Sequence, residues 1–202
     1  MTQRLQRRLA AIVAMDVAGY SRLVGDDEEG TLEALRSHRD NLTDPLIAEF
    51  GGRIANTAGD SILAEFPSAV EAVRCAVAIQ EGMSERNKLI PQHRQLQFRI
   101  GVNVGDVVPD GNDLLGDGVN VAARIEALAS IGGICLSRSA RDQVRDRLDF
   151  RFDDLVEIEV KNIDRPVRVF SIGASVAPAL STTTQMESEQ EPELLFPSIA
   201  VL

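Results

Sequence analysis

The chain has 202 residues, enough for one well-cored domain and a tail, with 44% hydrophobic and 26% charged residues. Lys and Arg number 21 against 31 Asp and Glu, a net charge of −10, which argues against holding nucleic acid through phosphate contacts but leaves room for one nucleotide pocket built from a metal and a few local cations. No apolar run approaches membrane-spanning length, the N-terminal stretch turns polar too soon for a signal peptide, and Cys75 and Cys135 sit in apolar runs without metal-ligand spacing. A cytoplasmic protein with two buried, reduced thiols and no membrane partner is expected.

Residues Leu9 to Met15 (LAAIVAM) form a continuous apolar run. Such a run predicts a strand buried on both faces, delivering Asp16 at its end. After a turn at Gly19, the stretch from Asp26 to Phe50 repeats Leu and Ile at helical spacing and stops at Gly51 and Gly52. Arg53–Ala58 and Ile62–Phe66, joined by Gly59 and Asp60, read as a β-hairpin. Ser68 opens a second long helix, and a polar link containing Pro91 follows it. Leu96 to Val108 alternates as a strand, and Gly116 to Ala129 reads as a helix entered through a Gly-rich turn. A short strand (ICLS), a helix capped by Ser137 or Ser139, and strands near Phe150–Val160 and Val167–Ile172 complete the pattern. Interleaved helices and strands with hairpins predict an α+β fold, a mixed β-sheet with helices packed on it. Residues 174–202 hold four Glu and neither Lys nor Arg, a linker composition, before FPSIAVL turns apolar again like the first strand of a second, truncated domain.

Three constellations carry chemistry. In DVAGYS, Asp16 follows a strand and Gly19 and Tyr20 turn into a helix, so a carboxylate can hold Mg²⁺ while backbone N–H groups meet phosphate oxygens; an Asp there is also a common helix cap. In NTAGD, Asp60 sits on a hairpin tip, where Gly-Asp is equally favoured for the turn itself. Two carboxylates from adjacent strands would make a two-metal site. In GDGVNVAAR, Asn120 and Arg124 are four apart and share a helix face; surface polarity explains either alone, whereas an amide beside a guanidinium can orient a ribose and stabilise a charged phosphate.

The ordered set IVAMDVAGYS, GGRIANTAGDSILAEF, FRIGVNVGDVV, DLLGDGVNVAARIE and VKNIDRPVRVF resembles the catalytic domain of class III adenylyl and guanylyl cyclases. The resemblance runs from Arg8 to Gly173 and implies a catalytic domain over 1–173, with the ferredoxin-like, palm-related core of that family, followed by a flexible acidic linker over 174–202. It implies that Asp16 and Asp60 bind two ions, Mg²⁺ or Mn²⁺, with the backbone of Val17 as a further ligand. Arg99 and Lys161 correspond to phosphate-contacting residues, and Asn120 and Arg124 to the pair that positions the ribose and steadies the transition state. Asp113 falls where adenylyl cyclases accept from the adenine amino group. Asn56 departs from the pattern, standing where the family has a purine-reading lysine; it can still donate to adenine N1, by a neutral bond about half as strong. The implied reaction is ATP to 3′,5′-cyclic AMP and pyrophosphate at sites shared across a homodimer, one protomer giving the metal aspartates and Arg99, the other Asn56, Asp113, Asn120 and Arg124. Two alternatives remain: a nucleotide-sensing or dimerisation module, favoured by Asn56, and a guanylyl cyclase, opposed by Asp113 because a carboxylate facing guanine O6 sets two acceptors against each other. His38 and His93 read as surface residues, and neither supplies a base.

Overall fold

The computed structural model describes residues 7–159 and 166–173. Lys161 and the expected linker over 174–202 lie outside them. The chain runs β1 (Arg8–Val17), α1 (Tyr20–Asp26), α2 (Glu28–His38), α3 (Asp44–Glu49), β2 (Arg53–Ala58), β3 (Ser61–Phe66), α4 (Ala69–Asn87), β4 (Phe98–Asp110), β5 (Asp113–Leu115), α5 (Asp117–Leu128), β6 (Ile134–Ser137), α6 (Arg138–Val144), β7 (Phe152–Ile158) and β8 (Val167–Ile172). The sheet order is β2-β3-β1-β4-β6-β8-β7, with β5 folded back on the end of β4. Among the described residues only β4 and β6 pair in parallel; the other ladders are antiparallel.

Alternation along the strands assigns the two faces. Odd residues of β1 (Ala11, Val13, Met15) and even residues of β4 (Phe98, Ile100, Val102) join one core with α1–α4 and α6. Even residues of β1 (Ala10, Ile12, Ala14) face the other way with Val107, Leu114 and Ala122. Because both faces are covered, β1 needs apolar residues at every position, which is why its run is unbroken. Glycine lets α5 lie close to β4. A Cβ at Gly101 would stand 2.4 Å from both the Ala122 carbonyl oxygen and the Glu126 nitrogen, and one at Gly118 would stand 2.8 Å from the Asp106 carbonyl oxygen.

The expected helix over Asp26–Phe50 is broken and starts earlier. Asp27 leaves helical geometry and its side chain accepts from Gly30 N, beginning α2 afresh. Between α2 and α3, residues 39–43 widen to a π-turn. Pro45 has no N–H for the carbonyl of Asn41, and Arg86 donates to that oxygen instead at 2.8 Å. Ser68 caps α4 and Ser137 caps α6, while Ser139 donates to the Val104 carbonyl. β4 extends past Val108 to Asp110, and Gly111, at φ +60°, turns it into β5, an element the alternation did not announce. Both cysteines are free and buried, and burial pushes their thiols up to about 12 at Cys75 and about 11 at Cys135. His93 is exposed, but His38 is half-buried with no hydrogen-bond partner at Nδ1 among the described residues; burial, then the charge of Arg86, lowers its pKa. No helix among the described residues is long and apolar enough to cross a membrane.

Candidate active site

Asp16 is the last even residue of β1, so its side chain emerges on the α5 face, directly opposite Arg99 of β4 in the ladder. Arg99 grips it with two bonds, Nε to Oδ1 at 3.1 Å and Nη2 to Oδ2 at 2.6 Å. This fork geometry is the strong form of an arginine–carboxylate contact. The bond to Asp16, foremost, keeps the guanidinium firmly protonated. Asp60, on the β2–β3 turn where Gly59 takes φ +62°, reaches back so that its Oδ2 accepts from Val17 N at 3.0 Å. The hairpin tip and the end of β1 are thereby tied together. Beyond them the chain turns at Gly19 (φ +70°) into α1, which has no side-chain cap.

A third carboxylate completes this cluster. Glu126 of α5 is 9% exposed, and its Oε1 lies 3.3 Å from Arg99 Nε. The Nε–H is directed at Asp16, so Glu126 Oε1 has no hydrogen-bond partner among the described residues. Burial, then hydrogen bonding to Asp16 and its charge, pushes the Glu126 carboxyl up to about 8. Nothing in the motif reading singled out Glu126. The signal was present nonetheless: a charged residue in the stripe of α5 that carries Ala122, Ile125 and Ala129, all buried.

Asn56 and Asp113 form a second group. A bulge at Ala55 shifts the β2–β3 register, and Asn56 Nδ2 donates to Asp113 Oδ2 at 2.8 Å. The other carboxylate oxygen accepts from Leu114 N at 2.7 Å. Arg53 braces the arrangement, donating to the Asn112 carbonyl at 2.6 Å and to the buried Glu65 at 2.8 Å. Asn120 and Arg124 project from the outer face of α5, both exposed, and neither side chain makes a hydrogen bond or ion pair among the described residues. Leu128, one turn further along that face, is 40% exposed. Asp16, Val17, Asp60 and Arg99 therefore come together within one chain, as do Asn56 and Asp113. Asn120 and Arg124 join neither group by any such contact.

The first group suits a hard cation. Its donors are carboxyl oxygens, one buried oxygen lacks a hydrogen-bond partner among the described residues, and Arg99 lies between Asp16 and Glu126. Among the described residues no group of three or more His, Cys, Asp or Glu side chains is placed to hold a metal ion by itself. Two carboxylates with open positions are how a protein holds Mg²⁺ together with substrate phosphates.

Comparison with known proteins gives the family. The sequence model of the adenylate and guanylate cyclase catalytic domain matches residues 6–173. A Rhizobium meliloti protein named "Putative adenylate cyclase 3" is 43% identical over 201 residues, 99% of this chain and 34% of that protein, so the chain spans about a third of the relative's length. The crystal structure of an adenylate/guanylate cyclase/hydrolase from Silicibacter pomeroyi superposes with a TM-score of 0.77 at 46% identity, covering 83% of this chain and 97% of that one. The adenylyl cyclase CyaB from P. aeruginosa superposes with a TM-score of 0.72 at 25% identity, over 84% and 96%. With the family model matching residues 6–173 and a 43% identical relative covered over 99% of this chain, the chain belongs to the adenylate and guanylate cyclase catalytic domain family.

Proposed function

We propose that the domain, residues 1–173, cyclises ATP to 3′,5′-cyclic AMP with release of pyrophosphate, at sites shared between two copies of the chain. The observation that carries the reading is the junction of Asp16 and Asp60 through Val17 N at 3.0 Å, with Arg99 beside them. Asp16, Asp60 and the Val17 carbonyl would hold two Mg²⁺ or Mn²⁺ ions, which lower the pKa of the ribose 3′-OH and neutralise the phosphates. The 3′ oxygen attacks the α-phosphorus, the bond to the bridging oxygen breaks, and pyrophosphate leaves. The backbone N–H groups of Gly19 and Tyr20, at the uncapped start of α1, and the side chains of Arg99 and Lys161 are assigned to phosphate oxygens.

The partner copy supplies the base and ribose contacts. Asn56 turns its amide nitrogen to Asp113, which leaves the second N–H to donate to adenine N1 while Asp113 accepts from the adenine amino group. Asn120 orients the ribose, and Arg124 stabilises charge on the phosphate in the transition state. The exposure of this pair, with Leu128 on the same face, supports a site completed by a second copy. Positioning and charge stabilisation supply the acceleration, and no side-chain base is assigned. Product analysis of purified protein with ATP and with GTP, each in Mg²⁺ and in Mn²⁺, tests the reading. Cyclic AMP formed faster than cyclic GMP is the expected result. Preferential cyclic GMP would make it a guanylate cyclase, and tight nucleotide binding without product would support a sensing module.

A further inference from the structure

Glu126 has no task in the cyclisation scheme, yet it is buried beside the charges that perform it. It comes from a different element, α5, and reaches the site because Gly101, two residues along β4 from Arg99, lets the helix backbone lie against the strand. Its Oε1 is 3.3 Å from Arg99 Nε and has no hydrogen-bond partner among the described residues. A buried acceptor without a donor is costly, and native structures retain few of them. Here the missing donor is adjacent, turned towards Asp16 through both of its forks.

That arrangement sets two cations in competition. Asp16 cannot hold the full guanidinium and a divalent ion at once without placing like charges side by side in a partly desolvated pocket. Where the ion takes Asp16, Arg99 needs a second partner, and the unpartnered Glu126 Oε1 lies 3.3 Å from its Nε. We propose that Arg99 and the divalent ion compete for Asp16, and that Glu126 is the positioning residue that receives Arg99 when the ion binds. The handover also sets the guanidinium off the carboxylate and free to face the terminal phosphates. The inference rests on the metal reading of Asp16 and Asp60 given above.

The test is Mn²⁺ binding to the purified 202-residue chain without nucleotide, followed by loss of the free-ion electron paramagnetic resonance signal. Glu126→Gln keeps the shape and removes the only form of the side chain that can pair with Arg99 as a carboxylate, so the Mn²⁺ affinity falls roughly tenfold, the scale of one charge-assisted hydrogen bond. In an Arg99→Gln background the same change costs roughly twofold or less, because nothing remains to be handed over. An equal loss in both backgrounds would mean that Glu126 acts on the ion directly, and no loss with Arg99 present would mean that it plays no part; either result overturns the proposal. Should Glu126→Gln not fold, Glu126→Met carries the same comparison. Arg99→Gln alone must also bind Mn²⁺ several-fold more tightly than wild type, and unchanged affinity sinks the competition. Failure of the underlying reading looks different: Mn²⁺ binding that is absent from wild type, or indifferent to Asp60→Asn, removes the metal site itself and the proposal with it.

Discussion

Gly101→Ala tests how the sheet and α5 build the site. The added Cβ would lie 2.4 Å from the Ala122 carbonyl oxygen and from Glu126 N, and 2.8 Å from Glu126 Cα. All three are helix backbone atoms, so no side chain can rotate aside. Restoring ordinary contact requires α5 to move off β4 by about 1 Å. Overpacking of this kind costs about 3 kcal/mol at the upper end of its usual range. For a domain of this length that corresponds to a melting temperature lowered by about 6 to 12 °C. The helix carries Asn120, Arg124 and Glu126, so the displacement also moves the proposed ribose and phosphate contacts. A misplacement of about 1 Å costs on the order of 100-fold in turnover. Thermal unfolding by circular dichroism and ATP cyclisation of the folded variant measure the two effects. Gly25→Ala is the control, since a Cβ there meets nothing within 4 Å. If Gly101→Ala melts and turns over like wild type while folding normally, the close approach of α5 to β4 does not govern the site.

Three further outcomes are expected. Mixing an Asp16→Ala protomer with an Arg124→Ala protomer should restore activity to about a quarter of wild type, because half the dimers are mixed and each has one intact site; inactive heterodimers would refute the shared site. Asn56→Lys should raise the ATP specificity constant roughly fivefold, by about 1 kcal/mol, as a charge-assisted donor held by Asp113 replaces a neutral one, and an unchanged or lower constant would show that position 56 does not face the base. Glu126 is raised from its ordinary 4.5 to about 8, so between those values the folded chain holds a proton that the unfolded chain has released. In EDTA the stability it contributes is fully present below pH 4.5 and lost as pH rises through about 8. Melting temperatures between pH 5 and 8.5 should therefore fall more steeply in wild type than in Glu126→Gln, and parallel slopes would contradict the shift.

Much of the fold was legible along the chain because its signals are local. The unbroken run of β1, the Gly-Asp tip of the β2–β3 hairpin and the serine caps of α4 and α6 each follow from periodicity or from a neighbouring backbone group. Metal-binding roles for Asp16 and Asp60 could be suspected from carboxylates at a strand end and a turn, and the resemblance of five ordered motifs pointed to the family. Sequence could not announce β5, whose three residues are too short for a pattern and exist through pairing with β4. Nor could it foresee the breaks at Asp27 and before Pro45, where capping and a lost donor override a hydrophobic repeat that continues through them.

The charge cluster belongs wholly to the tertiary structure. Asp16 and Arg99 are 83 residues apart and meet through the β1–β4 register, while Glu126 joins them only because a glycine admits the helix. One chain's sequence carries the donors and acceptors of the chemistry. Which of them share a pocket, and which face outward from α5, depends on the packing of elements remote in sequence, because electrostatic coupling acts over a few ångströms of space and takes no account of distance along the chain.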